Sequence, residues 1–416
     1  MRLIFPLEIE EIILNLLAED DEGHSALKKC SLVCQAFLPI CRKHIFESIV
    51  LNDPYVLSSP TTHAFECLLR ESPKIAEYIR KFNYYIQIAD LTSTSIQKSL
   101  KRISRLEFLT VHHRPRLDWT HWSNNPIRPA LLHLLHLPTL THFSVDDIND
   151  FIISDLVPCV NLKYLDIGYN MTVAAKITFP ATFPEHSIQL SEFVAGSFTT
   201  STMKLCTAQR PDGQPIIDFG SLSKIKMDFD EPDGCTASQE LFRRCHALTD
   251  AHISCKWYIF TPWWSRFLVS RSILVWDTRN VRLGLADMLR PSMQTLKHIV
   301  VNVEVDDADV DPLFGIPSEL EDMRTKNIIE TITIRILVQT DANCRGGDDW
   351  GRLDEVLAAP GWFSLKRVSL AIDIGDFSRS DDELEVAMRN LPETQFRRLS
   401  SSNSVSFDFE VNRIVV

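Results

Sequence analysis

A few groups of residues have the types and spacing to do chemistry. His133 and His136 lie at i, i+3 in a stretch read as a helix, Pro129–Leu137, a spacing that could hold a metal ion. No third ligand accompanies them. The surrounding Leu131, Leu132, Leu134 and Leu135 favour a partly buried, hydrogen-bonded pair instead. His112 and His113 are the other local crowding of imidazoles. Cys30 and Cys34 could share a helix face with Cys41 nearby, but no His or fourth Cys stands at zinc spacing. Buried free thiols in a core are the better reading. The acidic run Glu304, Asp306, Asp307, Asp309 and Asp311 has the charge of a calcium loop without its central Gly or closing Glu, so it reads as a solvated loop. Asp348 and Asp349 after Gly346 and Gly347 read as a turn. No GxSxG elbow, HExxH helix or Walker loop is present. The expectation is a non-catalytic chain with no metal and no cofactor.

Composition narrows the classes further. The chain has 416 residues, 45% hydrophobic and 24% charged, which is enough to bury a large core. Its net charge of -12 and lack of a basic stripe argue against nucleic acid, whose phosphates need clustered Lys and Arg. The opening MRLIFPLEIEEIILNLL carries Pro6, Glu8, Glu10 and Glu11, which interrupt any secretory apolar segment. The longest uncharged apolar stretch, Pro129–Val145, holds Pro, His and Thr and is not read as membrane-spanning. The 10 Cys form no CxxC pair, as expected of reduced thiols in a cytoplasmic or nuclear protein.

The elements that would position any site begin with three short amphipathic helices. Ile9, Ile12, Ile13, Leu16 and Leu17 form one stripe in the first. Pro6 suits its first turn, and Glu8, Glu10 and Glu11 favour its positive dipole end. Ser25 is placed to cap a second helix carrying Leu27, Cys30, Leu32, Val33 and Cys34, and Pro39 opens a third. Some 45 residues make a marginal core by themselves, roughly at the size where a docking partner is needed. That partner is either the rest of the chain, with the helices as a cap, or another protein.

These residues resemble a known family. FPLEIEEIILNLL, CSLVCQAF and ICRKHIFESIVL are similar in order and spacing to the F-box, and most similar to the F-box-like proteins of fungi. Phe5 stands where the family has Leu, Gln35 where it has a basic residue, and Phe37 where many members have Trp. The resemblance covers roughly the first 50 residues. It implies docking on the small adaptor subunit of an SCF-type ubiquitin ligase, and through it on the cullin scaffold. It would carry that role to Pro6, Ile9, Ile13, Leu32, Val33 and Phe37.

Residues 51–100, with the patch HAFECLLRESPKIAEYIRKF, read as a helical connector. Beyond them a unit recurs: Leu-x-x-apolar-x-apolar. The clearest copy is Leu162-Lys-Tyr-Leu165-Asp-Ile167-Gly-Tyr-Asn170, which fits the leucine-rich-repeat template through its final Asn. Further copies begin at Leu106, Leu140, Leu190, Leu222, Leu248, Leu296, Ile329 and Leu365, with one more expected around Ile273–Trp276. Helices are expected between them at Pro129–Leu137, Asp150–Leu156, Ser238–Cys245, Leu283–Leu289, Leu353–Leu357 and Asp382–Leu391, and the tail reads as a last strand. The fold class is therefore α/β: a three-helix F-box-like module over 1–50, the connector over 51–100, and an irregular leucine-rich-repeat-type solenoid over 101–416. A doubly wound α/β domain is the competitor.

On such strands the residues between the inward apolar ones face the concave side. The target surface would then hold Tyr164, Asp166, Tyr169, His142, Ser144, Asp146, Lys224, Lys226, Asp250, His252, His298, Asn302, Thr333, Arg335, Arg367 and Ser369. The aromatic cluster Trp257, Tyr258, Phe260, Trp263 and Trp264 reads as local core, or as an anchor if exposed. The reading is a substrate receptor for an unknown protein target. Its alternatives are a scaffold without the adaptor and an enzyme of unrecognised class.

Overall fold

The computed structural model describes residues 7–20, 23–56, 59–113, 126–168, 171–174, 184–196, 200–229, 238–257, 284–305, 313, 315–338, 348–376 and 382–415. Pro6, Tyr169, the acidic run Asp306–Asp311, the strand expected around Ile273–Trp276, and Tyr258 to Trp264 of the aromatic cluster lie outside them. The chain forms two compact units, Met1–Gln189 with Ala208–Ile217, and Leu190–Thr207 with Asp218–Val416.

The first unit opens with α1 (Leu7–Ala18), α2 (Gly23–Cys30) and α3 (Phe37–Ile45). They meet around buried Leu14, Leu27 and Cys41, with Leu17, Ala18, Cys30, Phe37, Ile40 and Ile45 packed at the rim. Burial pushes the Cys41 thiol up, as expected of a packing cysteine. Ser25 lies inside α2 rather than at its cap, because the helix starts two residues earlier.

Five parallel strands follow: β1 (Ser48–Leu51), β2 (Lys81–Ile86), β3 (Phe108–His113), β4 (His142–Asp146) and β5 (Tyr164–Ile167), each paired with the next. Between them run α4 (Thr62–Glu71), α5 (Ile88–Thr92), α6 (Thr94–Leu100) and α7 (Arg128–Leu135). β1 and β2 extend the sheet into residues read as module and connector. Pro73 ends the helix there, and the chain turns through a short 3-10 segment into β2. Asp150–Leu156, expected as an α-helix, is helical only as a 3-10 turn over Ile153–Leu156.

In the second unit β6 (Glu192–Ala195), β7 (Lys224–Phe229), β8 (Asp250–Trp257), β9 (His298–Val305), β10 (Thr331–Val338), β11 (Arg367–Asp376) and β12 (Ser406–Val415) also pair in parallel and in chain order. The connecting helices include α8 (Thr200–Thr207), α9 (Leu285–Leu289), α10 (Ile316–Met323), α11 (Asp348–Ala358) and α12 (Asp382–Arg389).

One local device repeats in both units. Each apolar anchor predicted to open a unit sits two residues ahead of its strand: Leu106 before Phe108, Leu140 before His142, and so through Leu365 before Arg367. All are buried, Leu365 the least at 6%. Immediately after Leu106, Leu140, Leu162, Leu222, Leu248, Leu296, Ile329 and Leu365, two successive N–H groups donate to one carbonyl, in most cases at the preceding strand's start. Thr141 and His142 share the Glu107 oxygen, Lys163 and Tyr164 the Thr141 oxygen, Lys297 and His298 the Thr249 oxygen, all at 2.8–3.0 Å. An anchor thus fixes where its strand begins, and the ladder then buries every second residue, as in Leu109 and Val111, Phe143 and Val145, or Ile332, Ile334 and Ile336. The alternate residues form the opposite, outward face.

Buried polar side chains tie neighbouring elements together. Asn52, in the left-handed region at φ 58, donates to Thr62 Oγ1 at 2.8 Å, Tyr85 O at 3.1 Å and Asp90 Oδ2 at 3.1 Å. Glu319 accepts from the Gly284 and Ala286 N–H groups at the start of α9, at 3.0 and 2.9 Å. Asp354 does the same for Arg398 and Leu399. Glu319 and Asp354 thus satisfy helix-end donors that burial would otherwise leave unpaired.

Candidate functional site

Two kinds of surface stand out, and the sequence placed candidates on both. The first lies on the N-terminal helices. α1 sends Leu14 into the core, while Ile9, Ile12, Ile13 and Leu16 keep 42–61% of their surface exposed at i, i+3, i+4, i+7 spacing. Leu32 and Val33 follow α2 in a tight turn, their N–H groups bonded to Lys29 and Cys30 carbonyls, and are 86% and 64% exposed. Ile9, Ile13, Leu32 and Val33 are therefore presented to solvent. Phe37, grouped with them on sequence, is instead half-buried against the Leu14, Leu27 and Cys41 core, because it opens α3 on its inward side. Ile12 and Leu16 belong to the exposed stripe, and the helical period alone could have added them.

The second surface is the outward face of the strands. In the first unit, register aligns it in rows. Lys81, Phe108, His142 and Tyr164 form one row, and Asn83, Thr110, Ser144 and Asp166 the next. Tyr85, His112 and Asp146 form a third. The first row is a stack: the rings of Phe108 and His142 lie 4.0 Å apart, those of His142 and Tyr164 5.4 Å apart, and Lys81 Nζ sits 5.3 Å from the Phe108 ring. In the third row Tyr85 stacks on His112 at 4.4 Å, and His112 Nδ1 is 3.6 Å from Asp146. The middle row is short and polar, with Ser144 donating to Asp166 at 3.0 Å. A hollow of about 330 Å³ lies over Phe108, Thr110, His142, Ser144, Tyr164 and Asp166. Of these, His142, Ser144, Tyr164 and Asp166 were named from the sequence. Lys81, Asn83, Tyr85, Phe108, Thr110 and His112 were not, although they stand at the same alternate positions.

In the second unit the sequence-named residues also fall in register. Lys224 is opposite Asp250, which is opposite His298, and Arg367 follows in the same row across Thr331, which was not among them; Thr333 is opposite Ser369. Lys226 faces His252, and Asn302 faces Arg335. Burial, and then the charges of Lys226 and Arg335, push the His252 imidazole below its ordinary range. Arg367 is ion-paired with Asp408.

The histidine pair is accounted for by backbone partners. His133 Nε2 reaches Ile103 O at 3.2 Å, and His136 Nε2 reaches Asp155 O at 2.8 Å. The two rings are thus directed to different carbonyls. Among the described residues no group of three His, Cys, Asp or Glu is arranged to hold a metal, and no helix is long and apolar enough to cross a membrane.

No protein-family model matches the chain, and no curated protein is found similar to it.

Proposed function

We propose that this chain is the substrate-receptor subunit of an SCF-type ubiquitin ligase. Its N-terminal helices are an F-box that docks on the adaptor, and through it on the cullin scaffold. Its strands form an irregular leucine-rich-repeat-type solenoid whose outward face binds a protein target. The chain itself performs no bond chemistry in this reading; it raises the target's local concentration beside the rest of the complex.

The observation that carries the proposal is the exposed apolar set on α1 and the turn after α2. Ile9, Ile12, Ile13, Leu16, Leu32 and Val33 are largely open to water although they sit beside a core that could have used them. Covering their remaining surface would contribute roughly 5–10 kcal/mol before the costs of association. A helical cap on the sheet would have buried that set. The repeated anchor and shared-carbonyl geometry supports the solenoid reading, since each strand needs its neighbour to cover one face.

The test is capture of the purified adaptor by the full chain and by Ile9→Asp. The wild type should bind, and the variant should lose at least about 100-fold, since an unpaired charge in an apolar interface is costly to desolvate. Its melting should stay unchanged, because residue 9 is exposed. A wild type that captures no adaptor sinks the ligase reading.

A further inference from the structure

We infer that the outward face of the first unit is a groove that takes an arginine side chain from the bound protein. The inference rests on the receptor reading for its partner, but on the structure for its chemistry.

The groove follows from register and side-chain size. Alternate positions on a strand lie roughly 6.6 Å apart, so three consecutive rows can make two walls and a floor. Here the walls are tall and aromatic: Phe108, His142 and Tyr164 on one side, Tyr85 and His112 on the other. The floor is short: Thr110 and Ser144, ending at Asp166. The rings stack on one another along each wall, which holds them upright and turns their edges to the space between. A slot of this section suits an unbranched aliphatic stem lying across the strands.

Charge selects which stem. Asp166 ends the floor on β5, and Asp146 ends the second wall on β4. Position 168 is a glycine, and the Asp146 carboxylate leans over it: a Cβ there would lie 2.2 Å from Asp146 Oδ1. The two carboxylates are thereby brought to the same end of the slot. Asp146 Oδ1 is covered and has no hydrogen-bond partner, while its Oδ2 lies 3.6 Å from His112 Nδ1, so Asp146 acts at that end through its charge and Asp166 is the carboxylate on the floor. A cation placed at that end is attracted by both negative charges. A guanidinium is the best match, because it pairs with carboxylates in a fork and tolerates aromatic neighbours. An acidic or plain apolar side chain meets two carboxylates with nothing to offer them.

The test uses the full chain and a capped tripeptide, acetyl-Gly-Arg-Gly-amide, with its citrulline analogue as a neutral control of the same shape. The ring signals of His112 and His142 are followed by NMR. The arginine peptide should shift both saturably with a Kd on the order of 1 mM, as befits a single side chain. Citrulline should bind at least about fivefold more weakly, the difference expected from losing a charged pairing. Ser144→Trp fills the floor and should abolish the shifts. Asp166→Asn, which keeps the shape, should weaken binding about fivefold even if the Trp variant fails to fold. No saturable shift up to about 20 mM, equal binding of citrulline, or indifference to both substitutions overturns the inference. Adaptor capture is scored on the same preparations. Arginine binding without capture sinks the ligase reading and keeps the groove; capture without arginine binding does the reverse.

Discussion

Replacing Asn52 tests how the first two strands are locked. Asn52 follows β1 in the left-handed region and is 6% exposed, while its side-chain amide makes several bonds at once. It donates to Thr62 Oγ1, Tyr85 O and Asp90 Oδ2, and accepts from the Thr62 N–H at 3.2 Å. Asn52→Ala removes all four and leaves the Thr62 N–H and the Asp90 carboxylate short of a buried partner. Losing such partners costs about 1–3 kcal/mol for each group that stays unsatisfied. An alanine held at positive φ adds about 1–2 kcal/mol. The total is about 3–5 kcal/mol, with some relief from water entering the site. Asn52→Gly removes the same bonds without the backbone strain, so it should be about 1 kcal/mol less destabilising than the alanine variant. The assay is urea unfolding of the full chain with amide exchange read at Thr62, which reports local opening there rather than global unfolding. If Asn52→Gly exchanges at Thr62 as slowly as the wild type, the network contributes nothing and the reasoning is wrong. If Ala and Gly are equal, the strain argument alone fails.

Two further outcomes follow from the outward face. Gly168→Ala places a Cβ 2.2 Å from Asp146 Oδ1, so Asp146 must move. The expected loss is about 1–3 kcal/mol in a thermal or urea melt, together with weaker arginine-peptide binding; an unchanged melt and titration refutes the contact. His252 is held below its ordinary value of 6.5 by burial and by Lys226 and Arg335. The unfolded state therefore binds this proton more readily, and stability should fall as pH drops through the mid-6 range and below. Comparing melts from neutral pH downward, His252→Gln should flatten part of that slope and Lys226→Gln should reduce it; a parallel profile in both variants would rule the coupling out.

The strands were legible because their signal is local. Each anchor, from Leu106 to Leu365, announces its strand two residues ahead, and the alternate apolar residues then name the buried face. The same pattern is present in Phe46-Glu-Ser-Ile49-Val-Leu51 and Ile79-Arg-Lys-Phe82-Asn-Tyr84, yet on sequence β1 and β2 fall in the helical module and connector, where no strands are expected. There the unit directly follows amphipathic helices whose period-3.6 spacing overlaps its first residues, so short strands were absorbed into them. Phe37 is more covered than the rest of its set for a different reason. Helical period ranks residues around one axis, but which face of α3 meets Leu14 and Leu27 is set by how three helices cross. The groove could not be read at all, since its walls join residues such as Phe108, His142 and Tyr164 whose alignment exists only through strand register.

Register also explains how so irregular a sequence supports a regular surface. The anchors stand 22 to 48 residues apart, many of the gaps wider than the usual repeat. The strands ignore that variation. Whether 22 residues separate two anchors, as from Leu140 to Leu162, or 36, as from Ile329 to Leu365, the next pair of N–H groups returns to one carbonyl beside the previous strand's start. The longer connection from Ile329 to Leu365 includes α11 (Asp348–Ala358). The shared carbonyl fixes the phase of the ladder, the ladder fixes the rows, and the rows fix which side chains become neighbours. Outward residues contribute little to that phase, because the backbone bonds and the buried alternate residues already set it. The Phe108–His142–Tyr164 stack, the short polar floor beside it and the Lys226–His252 pair can thus differ in chemistry on the same frame. The chemistry of such a surface is therefore specified by its outward residues.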